Sequence, residues 1–173
     1  MTCPVECVVG VGANLGDPVA QVHQAVEALV RLPDTEVLAS SALYLNPPVG
    51  PPEQPDYVNA VVRLATRLGA PELLDALQAL EQAAGRVRRR SWDARSLDLD
   101  LLVFGDLQMD DPRLTLPHPQ IARRRFVLVP WLEVDPEASL PDGRLVAELL
   151  RTAPPHPLQR LDAPGTHDAR EDA

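Results

Sequence analysis

Apolar positions along the chain fall into short runs of two kinds, one repeating every second residue and one every three to four, and the alternation between them sketches the fold. Val5 to Val11 is a β-branched apolar run that reads as a buried strand entering a glycine turn at Gly10-Val-Gly12-Ala-Asn-Leu-Gly16. Asp17 then caps a helix with Pro18 at its first position. Val19, Val22, Val26 and Leu29 make its single apolar stripe, and Pro33 lies beyond its end. Glu36 to Leu45 predicts a second strand. The segment from Asn46 to Pro55 holds five prolines, which cannot supply a ladder of N–H donors, so it is expected to be a loop.

From Tyr57 the period returns to two. Val58, Ala60, Val62 and Leu64 form one face of a strand, while Tyr57, Asn59 and Arg63 point the other way. Pro71 opens a helix whose core stripe is Leu73, Leu74, Leu77 and Leu80, with Gly85 placed to end it and Gln78 and Glu81 expected on an exposed flank. Arg86 to Ser96 reads as a polar loop, and Leu97 to Gly105 as the most strand-like segment of the chain. A loop marked by Pro112, Pro117 and Pro119 leads to an apolar stretch from Phe126 to Leu132, then to a short helix at about Asp142 to Leu150. Residues 1–152 are expected to form a single domain, and 153–173, rich in Pro, Asp and His, a disordered tail. Two strand-helix-strand units in succession predict the α+β class: a ferredoxin-like sandwich in which helices cover a mostly antiparallel sheet.

A length of 173 residues suits one domain, and a hydrophobic fraction of 45% suffices for its core. Net charge is −9, which argues against binding to nucleic acid. Its distribution changes the picture. All cations are Arg, and nine of the sixteen lie between Arg86 and Arg125, so a basic patch suited to a small polyanion sits on an acidic protein. Cys3 and Cys7 lack partners at zinc-ligand spacing, and no run resembles a membrane span or a secretory signal, so a cytoplasmic protein is expected.

Chemistry concentrates in Leu97-Asp-Leu-Asp-Leu-Leu-Val-Phe-Gly105. Alternation puts Asp98 and Asp100 on one face, continued by Leu102 and Phe104, against Leu97, Leu99, Leu101 and Val103 on the other. Two carboxylates about 5 Å apart at an effective dielectric of about 20 repel by roughly 3 kcal/mol. Solvation at a strand end relieves this, and so does a divalent cation; an oxygen-only pair favours Mg²⁺. The preceding Arg86-Val-Arg-Arg-Arg90, Trp92 and Arg95, with Arg113, Arg123, Arg124 and Arg125 after it, supply guanidinium forks for phosphate, or a solvated surface. Tyr57 and Asn59 share a strand face where a flat ring can stack and have its amide edge read, with Phe126 as the opposite cover; packing is the plainer alternative. His118, between two prolines, is a phosphate donor or a structural hydrogen-bonder. The glycine turn has the spacing GxGxxxG, which does not match the dinucleotide-binding pattern.

Taken together, Gly12-Ala-Asn-Leu-Gly-Asp17, Pro47-Pro-Val-Gly50 with Gln54-Pro-Asp-Tyr-Val-Asn59, Gly85-Arg-Val-Arg88, Arg95-Ser-Leu-Asp-Leu-Asp-Leu-Leu102 and Leu116-Pro-His-Pro119 resemble the hydroxymethyldihydropterin pyrophosphokinase family over about Val8 to Leu150. The resemblance implies transfer of the terminal diphosphate of ATP to a pterin hydroxymethyl group, with AMP leaving, in folate biosynthesis. It implies two Mg²⁺ ions on Asp98 and Asp100, and Arg86 and Arg95 on the migrating phosphates. Tyr57 and Phe126 would sandwich the pterin, Asn59 would hydrogen-bond it, and Asn46, Pro47 and Val49 would line its pocket. Gln78, Glu81, Arg88, Trp92, Arg113, Thr115, His118 and Arg124 match positions that contact ATP or close over it. The expected partners are therefore pterin and ATP alone, with no nucleic acid or membrane, and the expected state is a monomer. The sequence departs from the family pattern at Asn46, where Thr is common, and at Trp92-Asp-Ala-Arg95, where Trp-Gly-Pro-Arg is usual. A different Mg²⁺-dependent phosphotransferase lacks a use for the aromatic and Asn pair, and an RNA-binding sheet lacks its aromatic platform here.

Overall fold

The computed structural model describes residues 3–49, 53–85 and 97–161. Strand β1 (Val5–Ala13) leads to helix α1 (Pro18–Val30), then β2 (Thr35–Ser40), β3 (Leu43–Asn46) and β4 (Tyr57–Thr66). Helix α2 (Ala70–Ala83) precedes β5 (Asp98–Phe104), and a two-stranded ribbon of β6 (Met109–Asp110) and β7 (Thr115–Leu116) follows. A 3-10 turn at Ile121–Arg123 enters α3 (Arg125–Val134), and α4 (Val146–Thr152) leads to β8 (Gln159–Leu161). The main sheet has six strands in the order β5-β1-β4-β3-β8, with β2 also on β4, and every described pairing is antiparallel. This is the expected α+β, ferredoxin-like architecture.

Helices cover both faces, and period-two alternation assigns each side chain to one of them. Val58, Ala60, Val62 and Leu64 of β4 and Cys7, Val9 and Val11 of β1 pack against Val22, Ala25 and Leu29 of α1 and Leu73, Leu74 and Leu77 of α2. Val8, Val61 and Leu102 turn the other way, against Val127, Leu128 and Trp131 of α3 and Val146 of α4. The Asp17 carboxylate accepts the Ala20 N–H at 3.1 Å, closing the α1 cap that the sequence calls for. Gly85, at φ +83°, ends α2 in the left-handed region that glycine enters without strain.

Four expectations are corrected. The glycine segment is not a turn from Gly10: β1 continues through Gly12 to Ala13, pairing with β4 on one side and β5 on the other. The strand read over 36–45 is two strands, because Ser41 interrupts it. Its N–H donates to the Val61 carbonyl and its hydroxyl oxygen accepts the Val61 N–H, each at 2.9 Å, so a side chain takes over a backbone position. In β5 the alternation slips by one: Val8 and Val9 of β1 face Val103 and Leu101, leaving Leu102 as the extra residue of a bulge. Leu102 and Val103 then both face α3, and Phe104 joins Leu97, Leu99 and Leu101 on the α1/α2 side. Finally, ordered structure passes residue 152, since β8 lies within the stretch that composition reads as a tail and pairs with β3 through Leu43↔Leu161 and Leu45↔Gln159. Among the described residues no helix is long and apolar enough to cross a membrane.

Candidate active site

On the α3 side of the sheet, beyond the amino end of that helix, a cavity of about 380 Å³ opens over the middle strands. Its floor follows from register. Gly12 lies opposite Asn59 on one side and Asp98 on the other, and Gly10 lies opposite Asp100. Paired residues in a sheet project from the same face, so the two glycines leave a shallow channel between Asn59 and the aspartates. A Cβ on Gly12 would stand 2.7 Å from Asn59 Oδ1, whereas the nearest atoms to one on Gly10 would be Leu102 carbons at 3.7 Å or more, ordinary van der Waals contact. Asn46, Val49 and Tyr57 line it as well, as do Gln120, Arg124 and Phe126.

Asp98 and Asp100 line this cavity together, both half-buried. Between them Leu99 points into the opposite core, and its N–H is held by Glu81 Oε2 at 3.1 Å. Glu81 is only 4% exposed, which corrects the expectation of an exposed flank: its carboxylate turns inward and fixes the backbone that carries both aspartates. Arg124 Nη1 stands 3.5 Å from Asp100 Oδ2, and its guanidinium carbon lies 5.7 Å from the Phe126 ring centroid. Among the described residues no group of three or more His, Cys, Asp or Glu side chains could hold a metal ion. A two-carboxylate, oxygen-only set fits a cation that fills its remaining positions with water and phosphate oxygens, as Mg²⁺ does.

Two asparagine amides line the same cavity. Asn59, 8% exposed, donates from Nδ2 to Asn46 Oδ1, and Asn46, 2% exposed, donates from Nδ2 to the Pro47 carbonyl at 3.1 Å. The structure thus brings Asn46, Val49, Tyr57, Asn59, Asp98, Asp100, Arg124 and Phe126 to one cavity, with the Pro47 carbonyl bracing its rim. Other expected residues gather elsewhere. Arg113 pairs with Asp75 of α2 and approaches Gln78 Oε1 at 3.5 Å, in a cluster that joins α2 to the ribbon where Thr115 lies. Arg86, Arg88, Trp92 and Arg95 lie outside the described residues. Gly10, Gly12 and Gln120 also line the cavity, although the sequence marks the two glycines only as a turn and Gln120 not at all. The two-residue spacing of Gly10 and Gly12 matches that of Asp98 and Asp100, and was the available signal.

His118 is held at both ends of its backbone-to-ring frame: its N–H donates to Leu102 O at 2.8 Å, and its Nδ1 accepts the Gln120 N–H at 3.1 Å. That acceptor role requires the neutral ring with the proton on Nε2. Burial lowers its pKa below the ordinary 6.5, as does the neighbouring Arg124 cation, against a smaller raising effect of Asp98. The unfolded chain therefore takes up this proton at a higher pH than the folded protein does. The stabilisation is present above pH 6.5 and is lost as pH falls through the lower folded value. The unfolding midpoint should drop as pH falls below 6.5, and His118→Gln should flatten that drop in a thermal melt series. An equal drop in the variant would remove His118 from the account.

Residues 8–136 match the family model for 7,8-dihydro-6-hydroxymethylpterin-pyrophosphokinase. The 2-amino-4-hydroxy-6-hydroxymethyldihydropteridine pyrophosphokinase of Pseudomonas aeruginosa is 46% identical over 153 residues, covering 88% of this chain and 94% of that protein. The enzyme of the same name from Haemophilus influenzae is 40% identical over 154 residues, covering 89% and 96%. In structure, the chain is similar to HPPK-DHPS in complex with substrates, with a TM-score of 0.68 at 11% identity, over 87% of this chain and 43% of that one. A Plasmodium falciparum HPPK-DHPS gives a TM-score of 0.67 at 12% identity, over 86% and 43%. The chain thus spans less than half the length of these solved proteins, and the likeness to them bears on fold alone.

Proposed function

The chain belongs to the 7,8-dihydro-6-hydroxymethylpterin-pyrophosphokinase family, an ATP-dependent pyrophosphokinase of folate biosynthesis, and from that premise we propose how its residues divide the reaction. The hydroxymethyl oxygen of 6-hydroxymethyl-7,8-dihydropterin attacks the β-phosphorus of ATP in line. The bond between that phosphorus and the α,β-bridging oxygen breaks, AMP leaves with the bridging oxygen, and the hydroxyl proton is lost. The single observation that carries this reading is one cavity that brings together a carboxylate pair and a slot of aromatic and amide side chains.

Tyr57 and Phe126 line the slot and would take the flat faces of the pterin, and Asn59 would read its amide edge, with one N–H already committed to Asn46. Asp98 and Asp100 would hold two Mg²⁺ ions, which supply charge neutralisation and orientation for the phosphates. Arg124 stands beside Asp100 and would contact the nucleotide when the cation takes over neutralisation of that carboxylate. Arg86 and Arg95 would bind the migrating phosphates. Arg88, Trp92, Arg113, Thr115, Gln78 and His118 would contribute to the nucleotide side, where the neutral His118 ring can donate only from Nε2. Glu81 would act indirectly, by fixing the strand between the two aspartates.

The position of bond cleavage tests this directly. With a methylene group in place of the α,β-bridging oxygen, ATP should bind but give no product. With the β,γ-bridging oxygen replaced instead, it should still donate its terminal unit and release AMP. The reverse pattern would mean attack at the γ-phosphorus and a different transferase.

The channel floor gives a second expected outcome. Gly12→Ala drives a Cβ into Asn59 Oδ1, so the amide must turn away from the slot, and pterin affinity should fall by about tenfold or more. Gly10→Ala, whose nearest neighbours are Leu102 carbons at ordinary contact distance, should reduce affinity less in the same titration. Equal effects of the two would place the floor constraint elsewhere.

A further inference from the structure

We propose that His156, in the segment between α4 and β8, is a positioning residue for the pterin slot; this rests on the reading of that slot as the pterin site. His156 Nε2 lies 2.9 Å from the Pro47 carbonyl oxygen, and its ring centroid lies 5.9 Å from that of Phe126 at an interplanar angle of 58°. One side chain thereby links the Asn46–Pro47 segment to the amino end of α3, and Asn46 and Phe126 both line the cavity. As β8 pairs with β3 only three residues later, the bridge is fastened to the sheet rather than to a free tail.

The hydrogen bonds run in one direction and fix one another. The Pro47 carbonyl has two lone pairs; His156 Nε2–H donates to one and Asn46 Nδ2 to the other, and the two nitrogens stand 3.4 Å apart because they converge on the same oxygen. With its amide nitrogen drawn to Pro47, Asn46 must turn Oδ1 the other way, where Asn59 Nδ2 donates to it. Asn59 in turn is left with one N–H and Oδ1 in a fixed orientation, the pattern required to read a pterin edge. Asn46 and Asn59 are nearly excluded from solvent, so an amide that loses its partner there finds no water to replace it. His156 touches neither aspartate nor, on this reading, the substrate. Its role is to hold the Pro47 carbonyl, and through it the two amides, while its ring sets the tilt of Phe126.

The test separates the N–H from the ring. His156→Phe keeps an aromatic ring against Phe126 and removes the donor, and His156→Gln restores an N–H donor without the ring. Calorimetric titration of 6-hydroxymethylpterin and of MgATP, each separately, into the full chain and both variants is the readout. His156→Phe should weaken pterin binding about tenfold and leave MgATP binding unchanged, and His156→Gln should recover most of that loss. The proposal is overturned if the Phe variant binds pterin like the parent, if both ligands weaken in proportion, or if the Gln variant is as weak as the Phe variant. Binding of pterin by the parent with no change in the Phe variant sinks this inference alone. Absence of pterin binding by the parent sinks the reading of the slot and this inference with it.

Discussion

Asp98→Ala and Asp100→Ala each abolish turnover, by roughly 10³-fold or more in kcat, while the unfolding midpoint stays close to that of the parent. Charge neutralisation by a bound cation contributes several kcal/mol to a phosphoryl-transfer transition state, and each factor of ten in rate is about 1.4 kcal/mol. Both carboxylates line the cavity rather than the core, and their strand is pinned independently by its ladder with β1 and by Glu81 on the Leu99 N–H. Relief of mutual repulsion between the two acids works in the same direction for stability. Near-parent rates in either variant, measured with saturating MgATP and pterin, would remove the metal assignment.

The second large effect is selective for one substrate. Asn59→Ala should weaken pterin binding by about 10²-fold and leave MgATP binding within about twofold, because it deletes the edge-reading amide and strips Asn46 Oδ1 of its donor in a buried place. Tyr57→Ala should act in the same direction with a smaller loss, since a stacked ring contributes less than a buried, oriented amide pair. Separate titrations of the two ligands distinguish this from general destabilisation. Equal loss of both ligands in Asn59→Ala would show that the amide supports the fold and not the slot.

Much of this site was legible as strand alternation. Asn59 and Tyr57 on one face of β4, and Asp98 and Asp100 on one face of β5, follow from a period of two, and the structure brings both faces to one cavity. What alternation could not convey is the strand between them. Gly10 and Gly12 carry no side chain to mark a period, and glycine ordinarily signals a turn, so the continuation of β1 was hidden by the very property that opens the channel. The bulge at Leu102 was hidden for a related reason, because Leu102, Val103 and Phe104 are all apolar and no polar residue marks which face each takes. Glu81 could have been placed better: it follows Leu77 by four and Leu74 by seven, on the buried stripe of α2, and a carboxylate at such a position implies an internal partner. His156 is different again. Its neighbours Pro155 and Pro157 resemble those of a disordered tail, and only the pairing of β8 with β3 brings it to the slot.

The most direct test of the central claim is the nucleotide product formed from MgATP in the presence and absence of 6-hydroxymethyl-7,8-dihydropterin. AMP that appears only with pterin, in equal amount to a pterin diphosphate, is the predicted result. ADP with a pterin monophosphate, or AMP formed equally without pterin, would contradict it.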